Sequence, residues 1–243
     1  MSTGQPIDQP EPDEASTRVA TPTTVARPPL VVADGLSLAS RQGPVFTDLH
    51  FSWPESGLVA VVGPNGSGRS SLLLAVVGRM CGLTGRLSVT GLDAIRQPRK
   101  VARSTSVARI SDLVELEGQL RVAECITERA LIDAVTPQHA ESRFAATEHR
   151  IGLEIPRDEL VDELPALEQA VVAVILATLR PSRLVVLDDA DARLDLADQR
   201  RLYEALNAIA AAGTAIAVST AEVAALANDV PRLTLTRPTP EKD

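Results

Sequence analysis

Apolar and polar positions along this chain fall into blocks with two different periods. Leu58–Val62 (LVAVV) is a short, fully apolar run closed by Gly63, the pattern of a strand buried on both faces. From Ser70 to Met80 the spacing turns helical, with Leu72, Leu73, Val76 and Val77 on one face. Arg86–Val89 and Ser106–Ile110 read as further strands. Residues 120–150, rich in Ala, Glu and Arg, read as an inserted helical region. An apolar helix is expected over Leu167–Leu179, followed by a second buried strand, Leu184–Leu187 (LVVL), that ends in Asp188 and Asp189. Ala197–Ala211 repeats at helical spacing, and Thr214–Ser219 (TAIAVS) is another apolar strand. Short apolar strands separated by helices imply a mostly parallel sheet covered on both faces. Such sheets carry their chemistry at the carboxyl ends of the strands, which here means just after Val62, Leu187 and Ser219.

The segment after Val62 runs Gly63, Pro64, Asn65, Gly66, Ser67, Gly68, Arg69, Ser70, Ser71. Its glycines allow a tight loop whose backbone N–H groups turn together onto an anion, and a helix starting at the loop's end adds its own free N–H groups and positive dipole end. The pattern is that of a phosphate-binding P-loop, G-x-x-x-x-G-K-[ST], with Arg69 where Lys is expected and Ser70 where a hydroxyl would hold Mg²⁺. The strand before it and the helix after it are the context that separates such a loop from an ordinary Gly-rich turn.

Gly63–Ser71, the LVVLDD run and the later Arg193-Leu194-Asp195 together resemble the nucleotide-binding domain of ATP-binding cassette (ABC) proteins, over about residues 30–236 and in the same segment order. The resemblance implies an α/β P-loop NTPase fold of ABC type: a mostly parallel sheet, an antiparallel β portion from about residue 30, and a helical subdomain near 113–165. It implies ATP and Mg²⁺ as cofactors, with phosphates held by residues 63–71 and the metal by Ser70 and Asp188. Asp189 stands at the position of the family's catalytic Glu, and Ala192–Asp195 match the D-loop. As partners it implies a separate membrane-spanning subunit and a second ABC domain, in a homo- or heterodimer. The expected location is the cytoplasm, or the inner face of the membrane.

Several family positions are changed. The signature L-S-G-G-Q should fall at Leu164–Glu168, where the sequence reads LPALE and only Leu164 survives. The switch histidine is Thr220, the glutamine expected after the Ser106–Ile110 strand is absent from Ala108–Asp112, and Leu38–Arg41 holds no aromatic residue to stack on adenine. Arginine keeps the charge of lysine but is longer, planar and forked. Asp189 is one methylene shorter than glutamate, and a misplacement of ~1 Å can cost about a hundredfold in rate. Pro165 offers neither the hydroxyl nor the N–H of a signature serine, Leu167 adds bulk in place of glycine, and Glu168 adds negative charge. Because ABC domains pair head to tail, one subunit's P-loop facing the other's signature, this chain would spoil both sites of such a pair. The expected function is therefore an ATP-binding transporter subunit whose hydrolysis is weak or absent. The alternative is a non-hydrolysing regulatory or scaffold protein on the same fold.

Composition narrows the field further. The chain has 243 residues, 44% hydrophobic and 23% charged, enough for one large α/β domain. A net charge of −8 argues against a nucleic-acid partner, and a DNA-associated ABC ATPase is disfavoured by the single cassette and the lack of a coiled-coil insertion or basic stripe. Cys81 and Cys125 are too few for a disulfide framework and read as buried thiols of a reducing compartment. His50, His139 and His149 share no metal-ligand spacing. No apolar run approaches the ~18 residues of a membrane span, and the start lacks the charged and apolar regions of a signal peptide. Residues 1–29, with six prolines, and the final RPTPEKD from Arg237 are expected to be disordered tails.

Overall fold

The computed structural model describes residue 1 and residues 28–237; residues 2–27 and 238–243 of the expected tails lie outside the described residues. In chain order the elements are β1 (Val31–Ser40), β2 (Gly43–Trp53), β3 (Gly57–Val62), α1 (Arg69–Val76), β4 (Leu83–Val89), β5 (Leu92–Asp93), α2 (Pro98–Ser104), β6 (Thr105–Arg109), α3 (Val122–Ile132) and α4 (Pro137–Ile151). After a single 3₁₀ turn at Val161–Glu163 follow α5 (Ala166–Thr178), β7 (Leu184–Leu187), α6 (Leu196–Ala210), β8 (Ala215–Thr220) and β9 (Arg232–Thr234).

The apolar strands assemble as their two-sided burial requires. A five-stranded sheet has the order β6-β7-β8-β3-β9, with every pairing parallel. Successive side chains of a strand point to opposite faces, so Leu58, Ala60, Val185, Leu187, Ile216 and Val218 join one core, under α5, α6 and the α3–α4 pair. Val59, Val61, Leu184, Val186, Ala215 and Ala217 join the other, which α1 shares with the second sheet. That second sheet is antiparallel, with the order β2-β1-β4-β5. The α/β architecture with a parallel sheet, an antiparallel portion and an inserted helical region is the one the sequence implied.

The helical insertion resolves into two helices with explicit punctuation. Thr136 caps α4, its hydroxyl accepting from the His139 amide at 3.3 Å, and Pro137 follows at the first helical position. Gly152 ends α4 in the left-handed region, at φ 68°. Arg157 then ties the insertion together. Its guanidinium donates to Glu141 at 2.8 Å and to Glu148 at 2.9 Å, and lies 4.5 Å over the Phe144 ring.

Some expectations need correction. The P-loop helix stops at Val76, short of Met80, because Gly78 turns the chain at φ 70° against the Pro98 carbonyl. Cys81, beyond that stop, is therefore exposed, and only Cys125 is a buried thiol. Burial and the neighbouring Glu128 and Glu124 push the Cys125 thiol up to about 11. Leu167 does not add bulk at the surface: it is 4% exposed and packs inward, as does Leu164.

Candidate functional site

The carboxyl ends of β3, β7 and β8 meet as expected. Register pairs Leu187 of β7 with Val218 of β8, and Val62 of β3 with Thr220 of β8. The loop 63–68 is anchored at its root, where the Gly63 amide donates to the Thr220 carbonyl at 3.2 Å. The Ser67 amide closes the loop on the Pro64 carbonyl at 3.1 Å. Gly68, in the left-handed region at φ 90°, turns it directly into α1. Among the described residues the amides of Gly66, Gly68, Arg69, Ser70 and Ser71 make no hydrogen bond, which leaves a row of donors at a helix N-terminus.

Arg69 does not reach outward. It is 6% exposed, and its Nη1 donates to the Gly63 carbonyl at 2.8 Å. Its Nη2 donates to Asn65 Oδ1 at 3.1 Å and to Asp189 Oδ1 at 2.6 Å. The other oxygen of Asp189 accepts from the Ser111 hydroxyl at 3.0 Å. Both oxygens at the family's base position are thus engaged.

Asp188, one residue earlier, is fully buried. Its Oδ1 accepts from the Ser219 hydroxyl, while its Oδ2 has no partner. The Ser67 hydroxyl, lying against Gly63, is buried and unpartnered as well. A buried carboxylate oxygen with nothing to accept and a row of unpaired amides are costly unless a ligand completes them. The row of unpaired amides suits a polyphosphate, and an unpartnered carboxylate oxygen is of the hard-donor type a divalent cation takes.

Two residues without a role in the sequence reading organise these carboxylates. Ser219 accepts from the Asp189 amide at 2.8 Å while donating to Asp188. Arg109 donates to the carbonyls of Asp188, at 3.0 Å, and Asp189, at 2.7 Å. Burial and the nearby Arg193 guanidinium lower the Arg109 pKa from its ordinary value. Only the strand-end position of Ser219 could have singled it out beforehand. Arg109 stands beside the missing glutamine, a place where its guanidinium was not anticipated.

The remaining positions are tied into their own loops. The Thr220 hydroxyl donates to the Glu222 carbonyl at 2.8 Å and accepts from the Glu222 amide at 3.1 Å. Asp191 accepts from the amides of Ala221 and Glu222 at 2.9 and 3.1 Å, joining the segment after β7 to the segment after β8. Arg193 reaches Gln169 of α5 at 2.7 Å, and Asp195 caps α6. At the signature position Pro165 precedes α5, with Pro165 exposed and Glu168 half-buried. Burial raises the Glu168 carboxyl, an effect that Arg201 opposes. Leu38 is buried and the next three residues are exposed, with no ring among them.

An α/β domain with this loop, these strand ends and this helical insertion defines an ABC-type nucleotide-binding domain, and the family model described as "ABC transporter" matches residues 46–192. The chain belongs to that family.

Among its relatives, a cobalt import ATP-binding protein CbiO of Rhodobacter capsulatus is 29% identical over 211 residues, covering 83% of this chain and 74% of that one. A vitamin B12 import ATP-binding protein BtuD of Vibrio campbellii is 28% identical over 205 residues, covering 76% and 74%. Against three others, a zinc transport protein and two ribose import proteins, the chain covers only 27%, 31% and 41% of their length. Of solved structures, an ATP-binding subunit of an ABC transporter superposes with a TM-score of 0.67 at 22% identity, covering 85% of each chain. A nucleotide-free ATP-binding cassette gives 0.71 at 14% identity, covering 86% of this chain and 88% of that one. These superpositions establish the fold.

Proposed function

We propose that the chain is the ATP-binding subunit of an ABC-type transporter, that it holds Mg-ATP on residues 63–71 with Ser70 and Asp188 toward the metal, and that its hydrolysis is weak or absent. The names of the two relatives of which the chain covers 74%, import ATP-binding proteins, support the transporter assignment. The observation that carries the mechanistic half is the state of Asp189, whose two carboxylate oxygens are taken by Arg69 and Ser111. A general base must present a free oxygen within hydrogen-bond reach of the water it activates. The residues around it do not supply a substitute. Thr220 spends its hydroxyl on Glu222, and Pro165 brings no donor to a facing partner. In a head-to-tail pair one site would receive this P-loop and base and the other this signature, so neither would be complete.

Docking on a membrane-spanning subunit has a candidate surface in the helical insertion. Leu113, Leu131 and Ile132 are 68%, 70% and 70% exposed. Beside them a groove of about 230 Å³ is lined by Val114, Leu116, Cys125 and Ile132, among others. No helix among the described residues is long and apolar enough to cross a membrane.

Calorimetric titration with ATP and Mg²⁺, run beside phosphate-release assays, tests the proposal. We expect saturable binding, weakened by Arg69→Ala, with phosphate release that is the same for the chain and for Asp189→Ala. Turnover that Asp189→Ala abolishes would overturn the hydrolysis half. Absence of binding by the folded chain would overturn the nucleotide half.

A further inference from the structure

We propose that Arg69 and Asp189 form a self-inhibitory latch, in which the Asp189 carboxylate competes with the terminal phosphate of a nucleoside triphosphate for the Arg69 guanidinium. Nucleotide entry and release of the Asp189 carboxylate are then a single event. The inference rests on the nucleotide-binding reading above.

The donor inventory carries it. A guanidinium has five N–H donors in a fixed fork. Both hydrogens of Nη2 are spent, on Asn65 and Asp189, and one of Nη1 on the Gly63 carbonyl. Only the Nε hydrogen and one Nη1 hydrogen remain for an incoming phosphate. Charge-assisted pairs of this kind are the strong ones, and this one is shielded, with Arg69 6% and Asp189 31% exposed. An incoming phosphate therefore meets a cation already neutralised by an acid of the same chain.

The two partners differ in what holds them. Asp189 sits in the left-handed region, at φ 45°, a conformation few non-glycine residues adopt. Its amide is held by Ser219, its carbonyl by Arg109 and its second carboxylate oxygen by Ser111. It is fixed from three directions and cannot follow Arg69. Arg69 is the first residue of α1, and every contact of its guanidinium is made by the side chain alone. The latch therefore opens by a change of Arg69 rotamer, with the Asp189 backbone stationary. Opening frees one oxygen of Asp189 as phosphate arrives, but Ser111 keeps the other. The fixed backbone holds the carboxylate one methylene short of a glutamate's reach, so the freed oxygen does not restore turnover. Asp188 takes no part, since its Oδ1 is held by Ser219 and its Oδ2 contacts no donor.

The test is a double-mutant cycle on the full chain, read by calorimetric titration with Mg²⁺ and a non-hydrolysable ATP analogue. The four proteins are the unmodified chain, Asp189→Ala, Arg69→Ala and the double variant. Removing an acid near a polyphosphate helps binding in any background; the latch predicts more than that. Asp189→Ala should tighten binding about tenfold, equivalent to ~1.4 kcal/mol, when Arg69 is present, and less than about twofold when it is Ala. An equal gain in both backgrounds would mean simple charge repulsion and would overturn the latch, as would no gain at all. Binding by Asp189→Ala where the unmodified chain binds nothing would support it in its strongest form. If none of the four binds, the nucleotide-binding reading itself has failed and the competition with it. Urea unfolding of the same ligand-free proteins reads the pair separately. Non-additive midpoint shifts are expected, and additive ones would overturn the latch whatever the titrations give.

Discussion

Gly63 is the residue on which the geometry of the loop turns, and replacing it by alanine gives a perturbation whose size follows from the structure. A Cβ at this position would lie 2.4 Å from the Leu235 carbonyl oxygen and 2.7 Å from Ser67 Oγ. Neither neighbour can yield freely. The Leu235 amide is bonded to the Val62 carbonyl at 2.7 Å, which staples the segment after β9 to the end of β3, and Ser67 is buried inside the loop. Overpacking of this kind costs about 1–3 kcal/mol, and in a chain of this size each kcal/mol moves the melting temperature by roughly 2–4 °C. A loss of about 2–12 °C is expected for Gly63→Ala in a ligand-free thermal scan. Gly66→Ala is the informative comparison, because there the nearest atom is Arg237 Nε at 3.8 Å and only the φ of 79° is unfavourable. That variant should lose about 1–2 kcal/mol from backbone strain alone while keeping the β3–β9 staple. If Gly63→Ala melts within about 1 °C of the unmodified chain, the close approach does not hold the loop and the reasoning fails.

Two further outcomes follow from buried groups. Asp188→Asn removes a fully buried carboxylate that has one unpartnered oxygen, so its metal-free melting temperature should rise by about 2–4 °C, roughly 1 kcal/mol. The same variant should lose the Mg²⁺ dependence of nucleotide binding, and a fall in ligand-free stability would refute the first part. A maleimide at pH 8 should label one cysteine of the folded chain, the exposed Cys81, because burial holds the Cys125 thiol at about 11 and leaves it protonated. Mass spectrometry should find a second label only after denaturation; rapid double labelling of the native chain would refute the burial of Cys125.

The sequence made the parallel sheet and its P-loop visible because strands buried on both faces are written as unbroken apolar runs, as in LVAVV and LVVL. The second sheet was harder to place residue by residue. The pairing of β1 with β2 shifts register between Ala33 and Leu36 and again between Leu36 and Leu38, which breaks the alternation a half-buried strand would show. Helix α2 and strands β5 and β9 span seven, two and three residues, too short for a periodic signal. At the site, spacing identified which residues stand at the strand ends but not what they touch. The inward turn of Leu167, the grip of Arg109 on two carbonyls and the engagement of Asp189 by Arg69 all depend on contacts between segments distant in sequence. A one-dimensional pattern carries no such information.

Two of the departures from the family pattern compensate one another. Arg69 is longer than the lysine expected there, and Asp189 is shorter than the expected glutamate, so a long cation meets a short anion at 2.6 Å across the strand ends. Exchanging one partner breaks that match. Lysine at position 69 has a compact ammonium that cannot span Gly63, Asn65 and Asp189 as the planar fork does. Glutamate at 189 would press a longer side chain against Arg69 and Ser111. Arg69→Lys and Asp189→Glu should therefore each lower the melting temperature, and the double exchange should be more stable than the sum of the two losses allows. Strict additivity in thermal scans of the three variants would refute the compensation. Recovered stability should not bring recovered turnover. The double exchange leaves the Thr220 hydroxyl bonded to Glu222 and leaves Pro165 without an N–H at the start of α5. Phosphate release by the double variant should stay at the level of the unmodified chain, because catalysis there lacks donors that no change within the Arg69–Asp189 pair can supply.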